Sequence, residues 1–280
     1  CADGAYELTY WADGFEYKQI QGPEMNAEFF KSYSILHWKG PKYLFATRGG
    51  VLMYDIETKE LQTFKHDPNR PESTLTDGIC RVSYKDPHGN VWFATSVGGL
   101  SQLKEKNGQV TIVPYRYNKQ LRKASSDYIT SIFVDKNDNY WLSTLGAGLI
   151  KWNEKTKKSK IFDESDGLPN GVIYSVLEGG EGNLWLSTNK GLCSFSPRDG
   201  KVKVFTEQEG LMSNEFNLGA YMKGKDGYLY FGGIYGYNYF LPASLSKRKK
   251  ELGITFTKFK LENEWLTPGK EDVPLKAPIF

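Results

Sequence analysis

One recurring phrase limits what this 280-residue chain can fold into. Its fullest copy is Gly182–Leu192, Gly-Asn-Leu-Trp-Leu-Ser-Thr-Asn-Lys-Gly-Leu: a turn opener, a strand-like run around an aromatic, and a second turn closing on Gly191. Gly89–Thr95 followed by Gly98-Gly99-Leu100, and Asp138–Thr144 followed by Gly146–Leu149, repeat it closely. Looser copies are Pro41–Thr47 with Gly49-Gly50-Val51, and Asp226–Gly232 with Gly236-Tyr237. The equivalent positions Leu44, Trp92, Trp141, Trp185 and Tyr230 stand 48, 49, 44 and 45 residues apart. A repeat of about 40–50 residues carrying several short strands is the sequence sign of a β-propeller blade.

The expected fold is therefore all-β: a β-propeller segment of about five four-stranded blades plus an outer half-blade, part of a larger ring. Aromatics at 15% and 29 glycines suit packed strands and tight turns. Residues 1–31 read as the half-blade, a strand–turn–strand unit hinged on Asp13-Gly14. Blades follow over about 32–76, 77–124, 125–168, 169–212 and 213–261. In the fourth the strands are Val172–Leu177, Leu184–Thr188, Leu192–Phe195 and Val202–Phe205. The second gives Ile79–Tyr84, Val91–Thr95, Leu100–Leu103 and Thr111–Tyr115. The fifth lacks an outer strand until Ile254–Leu261, beyond the basic loop Ser246–Glu251. Residues 262–280 read as a linker or the start of a β-sandwich. They carry no copy of the phrase, so the ring is not expected to close within this chain. Opening on Cys1-Ala2-Asp3 without an initiator Met, the chain reads as an excised piece.

Composition narrows function by exclusion. With 36 basic and 33 acidic residues the net charge is +3, too balanced to argue for nucleic acid or an anionic membrane as partner. No apolar run approaches the ~20 residues that span a bilayer. Three cysteines name no disulfide framework. Cys80 and Cys193 sit in strand-like alternations and are expected to be buried thiols, which pack as small apolar side chains. His37, His66 and His88 have no metal-ligand spacing to another His, Cys or acid, so neither a metal nor a cofactor is expected. No nucleophile elbow, P-loop or Rossmann phrase appears, and no catalytic residue is assigned. Asp86-x-x-Gly89-x-x-Trp92 is superficially like the Asp box of sialidases, which is a structural turn.

Because strand direction alternates within a blade, loops can be sorted by face. The glycine turn after each second strand shares a face with the connection between blades. That face carries the long, varied segments, where binding residues concentrate over a rigid scaffold. Candidate ligand-binding residues there are Arg48, Asn189 and Tyr235 in the glycine turns, with Lys190 and Ile234 beside them. Asn170 and Asn214 precede innermost strands, and Arg116 and Arg122 lie in the basic loop Arg116–Asp127. Each Asn also has a plain turn or strand-entry reading. The strand-centre Trp recurs at every full copy, which favours packing between blades over a sugar-stacking platform.

Asp166–Leu177 followed by Gly182–Leu192 resembles the two-component regulator propeller repeat. That repeat typifies the extracytoplasmic sensor region of hybrid two-component systems in Bacteroides-type bacteria. The end, Ile254–Glu264 with Pro268-Gly269 and Pro274-Leu275, is similar to the junction into the Tyr-Tyr-Tyr β-sandwich domain of that family. The resemblance implies two seven-bladed propellers, a β-sandwich, a membrane helix, a histidine kinase and a response regulator. It implies a periplasmic location, oligosaccharides or other small molecules as ligands, and a homodimer formed through the parent ectodomain. No direct nucleic-acid contact is implied for this segment, and membrane contact only through the missing parts of the parent. It supplies no ligand-binding residues. The expected function is a non-enzymatic ligand-sensing ectodomain controlling polysaccharide-utilisation genes. The alternatives are a propeller lyase or glycosidase, which would need acids at the mouth, and a protein-interaction scaffold.

Overall fold

A computed structural model describes residues 6–11, 14–20, 28–29, 31–70, 74–115, 128–246, 259–261 and 264–266. The chain divides into two compact units, Cys1–Ala243 and Ser244–Phe280.

Four sheets of four antiparallel strands form in chain order, each an up-and-down meander. The first is β3 (Ser32–Lys39), β4 (Lys42–Thr47), β5 (Gly50–Asp55) and β6 (Leu61–Phe64). The second is β7 (Cys80–Lys85), β8 (Val91–Thr95), β9 (Leu100–Lys106) and β10 (Gln109–Tyr115). Strands β11 (Ile129–Val134), β12 (Asn139–Thr144), β13 (Leu149–Asn153) and β14 (Ser159–Phe162) make the third. The fourth comprises β15 (Ile173–Glu178), β16 (Leu184–Thr188), β17 (Gly191–Phe195) and β18 (Val202–Phe205). A fifth sheet has three described strands, β19 (Phe216–Lys223), β20 (Leu229–Gly233) and β21 (Gly236–Phe240). At the N-terminus β1 (Tyr6–Trp11) and β2 (Gly14–Gln19) pair as a hairpin, in the place expected for the half-blade. The first strand of each sheet touches the first strand of the next, and β11 also reaches β19. These innermost strands stand around one axis, which makes the sheets blades of a propeller.

The second strands β4, β8, β12 and β16 end in completely or nearly buried runs. Enclosure on both faces explains why they read as apolar runs rather than alternations. Their aromatics do the packing expected of them. Trp92 lies in one buried cluster with Ile132, Leu142 and Trp152 of the third blade. Trp141 lies with Val176, Leu186 and Phe195 of the fourth. Trp185 reaches Phe240 of the fifth, ring centres 4.6 Å apart. Cys80 and Cys193 are free, buried thiols in these clusters. On the other side of the first blade, Ile20 and Phe29 pack with Phe45, Leu52 and Tyr54.

Of the outer strand expected at Ile254–Leu261, residues 254–258 lie outside the described residues. The remainder, β22 (Phe259–Leu261), pairs with β23 (Glu264–Leu266) in a two-stranded sheet of its own. A short helix, α1 (Pro242–Ser246), follows the last strand of the fifth blade.

Candidate functional site

A repeated polar device builds one face of the propeller. Thr47, Thr95, Thr144 and Thr188 end the second strands of four blades and are fully buried. Each hydroxyl donates to the carbonyl of the glycine that opens the next strand, Gly50, Gly99, Gly148 or Gly191, at 2.7–3.4 Å. Each also accepts a backbone N–H from within the turn, of Gly49, Gly98, Ala147 or Lys190. The turn is thus closed on both sides by one side chain. In three blades the glycine also meets the end of the outer strand. A Cβ on Gly50, Gly148 or Gly191 would fall within 2.3 Å of the carbonyl oxygen of Phe64, Phe162 or Phe205.

These turns join the connections between blades. Gly146 and Gly148 donate to the carbonyl of Gly171, and Gly191 donates to that of Asn214 at 2.6 Å. The connections are themselves built alike. Asp163 and Thr206 cap single 3-10 turns, Glu164–Asp166 and Glu207–Glu209, each closed by a glycine, Gly167 or Gly210, with positive φ.

At the same end, every innermost strand of the first four blades carries one extra residue. Register passes from Ser32 to Ser34, Cys80 to Val82, Ile129 to Ser131 and Ile173 to Ser175 while the partner strand advances by one. The residues skipped are Tyr33, Arg81, Thr130 and Tyr174. In the fifth blade the interruption is wider, between Phe216 and Tyr221. Bulges re-aim side chains and occur at strand ends beside binding sites. Here they surround the mouth of the axis. A cavity of about 320 Å³ opens there, lined among others by Tyr33, Arg81, Thr130, Leu218 and Tyr221.

The cavity wall is polar where it is fixed and aromatic where it is open. Ser34 and Ser83 join the first and second blades through their hydroxyls, 2.7 Å apart. Thr130 donates to the carbonyl of Ile173 at 2.6 Å, and its hydroxyl lies 2.9 Å from that of Ser143. Ser131 accepts the backbone N–H of Val176 at 2.8 Å. Burial pushes the Tyr221 hydroxyl up, against a hydrogen bond with Ser131 that pulls it down. Burial, with the Glu215 carboxylate nearby, also pushes up Tyr174. The Arg81 guanidinium lies over the Tyr33 ring at 4.5 Å and 5.6 Å from that of Tyr128. Its Nε donates to Ser96 Oγ at 3.0 Å.

The residues anticipated from sequence meet different fates. Arg48 pairs with Glu28, Nε to Oε2 at 2.6 Å, on the exposed rim. Asn170 holds its own loop, Oδ1 accepting from the Val172 N–H at 2.7 Å. Asn214 does the same toward the Glu207 N–H at 2.9 Å. Tyr235 is 74% exposed at the tip of its turn. Asn189 Oδ1 is buried and has no hydrogen-bond partner among the described residues. Arg116 and Arg122 lie outside the described residues. The anticipated residues lie on the face where the cavity opens, but the cavity-lining Tyr33, Arg81, Thr130 and Tyr221 were not among them. A bulge leaves no mark in a two-residue alternation, so nothing pointed to them.

Aspartate carboxylates tie the turns of the opposite face. Asp86 accepts from Trp92 Nε1, Asn90 Nδ2 and the Tyr140 hydroxyl through Oδ2, and from two backbone N–H groups through Oδ1. Asp135 repeats this around Trp141. His88 on that face meets Asp138, itself bonded to Lys155. His37 bonds the carbonyl of Gly40, and His66 that of Leu75. None of the three histidines lines the axial cavity. Among the described residues no cluster of His, Cys, Asp and Glu could hold a metal ion. No described helix is long and apolar enough to cross a membrane.

Two stretches, 123–146 and 167–190, match the family model described as the two-component regulator propeller. The chain is 30% identical over 245 residues to Histidine kinase P4 of Formosa agariphila, a match covering 84% of this chain and 17% of that protein. A putative hybrid two-component system from Bacteroides thetaiotaomicron has an extracellular domain that superposes with a TM-score of 0.69 at 23% identity. That match covers 95% of this chain and 36% of the domain. The virginiamycin B lyase of Staphylococcus aureus shares the fold more distantly, with a TM-score of 0.54 at 15% identity. It covers 75% of this chain and 70% of the lyase. The chain thus spans less than two thirds of the histidine kinase and of the extracellular domain.

Proposed function

We propose that this chain, which carries two-component regulator propeller repeats, is a ligand-sensing segment of the extracytoplasmic part of a hybrid two-component histidine kinase. The observation that carries the reading is the 30% identity to a histidine kinase over 245 residues, 84% of this chain. Oligosaccharides are the proposed ligands, bound at the axial mouth. They would report on polysaccharide supply and control the genes for its use from a periplasmic position. The mouth supports this reading with hydroxyls, an arginine and the open ring of Tyr33, the kinds of group that hydrogen-bond and stack on sugars. Binding acts by favouring one placement of the propeller relative to its neighbours in a homodimeric parent, a population shift rather than chemistry.

Calorimetry with an oligosaccharide panel, paired with product analysis of the same mixtures, tests the reading. Saturable binding without new products is expected. Turnover of any bound glycan would instead make this an enzyme, the reading that the fold shared with virginiamycin B lyase keeps in view.

A further inference from the structure

Resting on that reading and narrowing it, we propose that the axial mouth selects ligands bearing an acidic group. Arg81 receives a carboxylate or sulfate, and Tyr33 is the platform beside it. Arg81 is placed by a bulge in β7, so its side chain enters the cavity rather than the sheet interior. Its head group is held in three ways: by Tyr33 on one side, by Tyr128, and by the Nε–H donated to Ser96 Oγ. That arrangement uses one N–H of five and leaves the terminal nitrogens to form a fork.

Among the described residues no carboxylate pairs with Arg81, whereas Arg48 and Arg70 have Glu28 and Asp67. An arginine stacked on aromatic rings and lacking an ion-pair partner suits bidentate capture of a planar carboxylate or of sulfate. Tyr33, 40% exposed, and Leu218, 41% exposed, supply apolar surface in the same cavity for a sugar ring attached to that anion. Ser34 and Ser83, their hydroxyls bonded to each other, make the wall polar. The volume, about 320 Å³, lies at the low end of ligand sites and fits the acidic end of a chain rather than a whole oligosaccharide.

The test has two arms. First, acidic oligosaccharides prepared from polyuronates and sulfated polysaccharides are titrated against their carboxyl-reduced or desulfated counterparts. At least tenfold tighter binding of the acidic members is expected. Arg81→Gln should remove that preference while circular dichroism and the melting temperature stay unchanged, and Tyr33→Ala should weaken binding of acidic and neutral members alike. Second, the Arg81 Nε–H resonance is followed by NMR during titration with glucuronate and, separately, glucose. A saturable shift with glucuronate alone is expected. Equal binding of acidic and neutral glycans, or an unchanged Arg81 resonance, overturns the acidic preference and leaves glycan sensing standing. Absence of glycan binding together with a glucuronate-specific shift overturns the oligosaccharide reading and leaves the anion subsite standing.

Discussion

Asp86 and Asp135 show how much of the blade geometry hangs on one side chain. Each carboxylate gathers two backbone N–H groups of its turn and the indole N–H of the Trp that bridges to the next blade. Burial alone would raise the Asp86 carboxyl. The hydrogen bonds from Trp92, Asn90 and Tyr140 outweigh it and hold the group below its ordinary value of 3.8. A carboxyl lowered on folding adds stability above its unfolded value, and that stability is lost as pH falls through the folded value. Urea denaturation should therefore give a constant midpoint from pH 7 to about 5, with a decline below about 4. Asp86→Asn turns an amide donor toward groups that are all donors, so a loss of about 1–3 kcal/mol is expected. An unchanged midpoint in that variant would contradict the assigned role. The fourth blade shows the alternative solution. Gly179 replaces the aspartate, and the Trp185 indole lies so close that a Cβ there would stand 2.4 Å from its Nε1. The thiols test burial in another way. Desolvation pushes Cys193 up to about 12 and raises Cys80 as well. In a Cys1→Ser background neither should react with a disulfide reagent until the chain is unfolded. Prompt labelling of the native protein would mean that the blades do not seal them.

At the scale of elements, the glycine at the start of the third strand is bound to the fold by space as well as by dihedral angle in three blades, at Gly50, Gly148 and Gly191. Gly191 has φ +100°, and a Cβ there would meet the Phe205 carbonyl oxygen at 2.3 Å. Gly210 has φ +102° with nothing within 4 Å. Gly210→Ala should therefore cost only the left-handed strain, about 1–2 kcal/mol. Gly191→Ala must also move β18 or its own turn, and should cost clearly more. Equal losses in thermal denaturation would show that the close approach does not matter. This contrast also explains what could be read beforehand. The Thr and Gly of the recurring phrase are visible because four blades use them for the same hydrogen bonds, and the strand bounds read in the second and fourth blades lie within three residues of those found. Strand β16 falls at Leu184–Thr188, where the sequence put it. The bulged residues Tyr33, Arg81, Thr130 and Tyr174 differ in chemistry from blade to blade, and their placement depends on register across a partner strand. A pattern search rewards sameness, so it found the scaffold and passed over the mouth. It also favoured Asn170 and Asn214, whose amides turn out to hold their own loops.

For the whole molecule, the two ends of the axis have opposite characters. One is tied down by the networks of the buried Asp86 and the half-buried Asp135. The other collects a break in register from each of five innermost strands around a cavity. Stacked repeats make such a surface simple to vary, since each blade contributes a side chain without altering its neighbours' hydrogen bonds. Acidic recognition at Arg81 is one specification of it. Backbone hydrogen exchange, with and without a saturating oligosaccharide from the binding panel, tests the placement of the site most directly. Slowed exchange is predicted at residues 32–34, 80–82, 129–131 and 173–175, with residues 86–90 and 135–139 unchanged. Protection confined to those last two turns, with the bulges unaffected, would contradict the account.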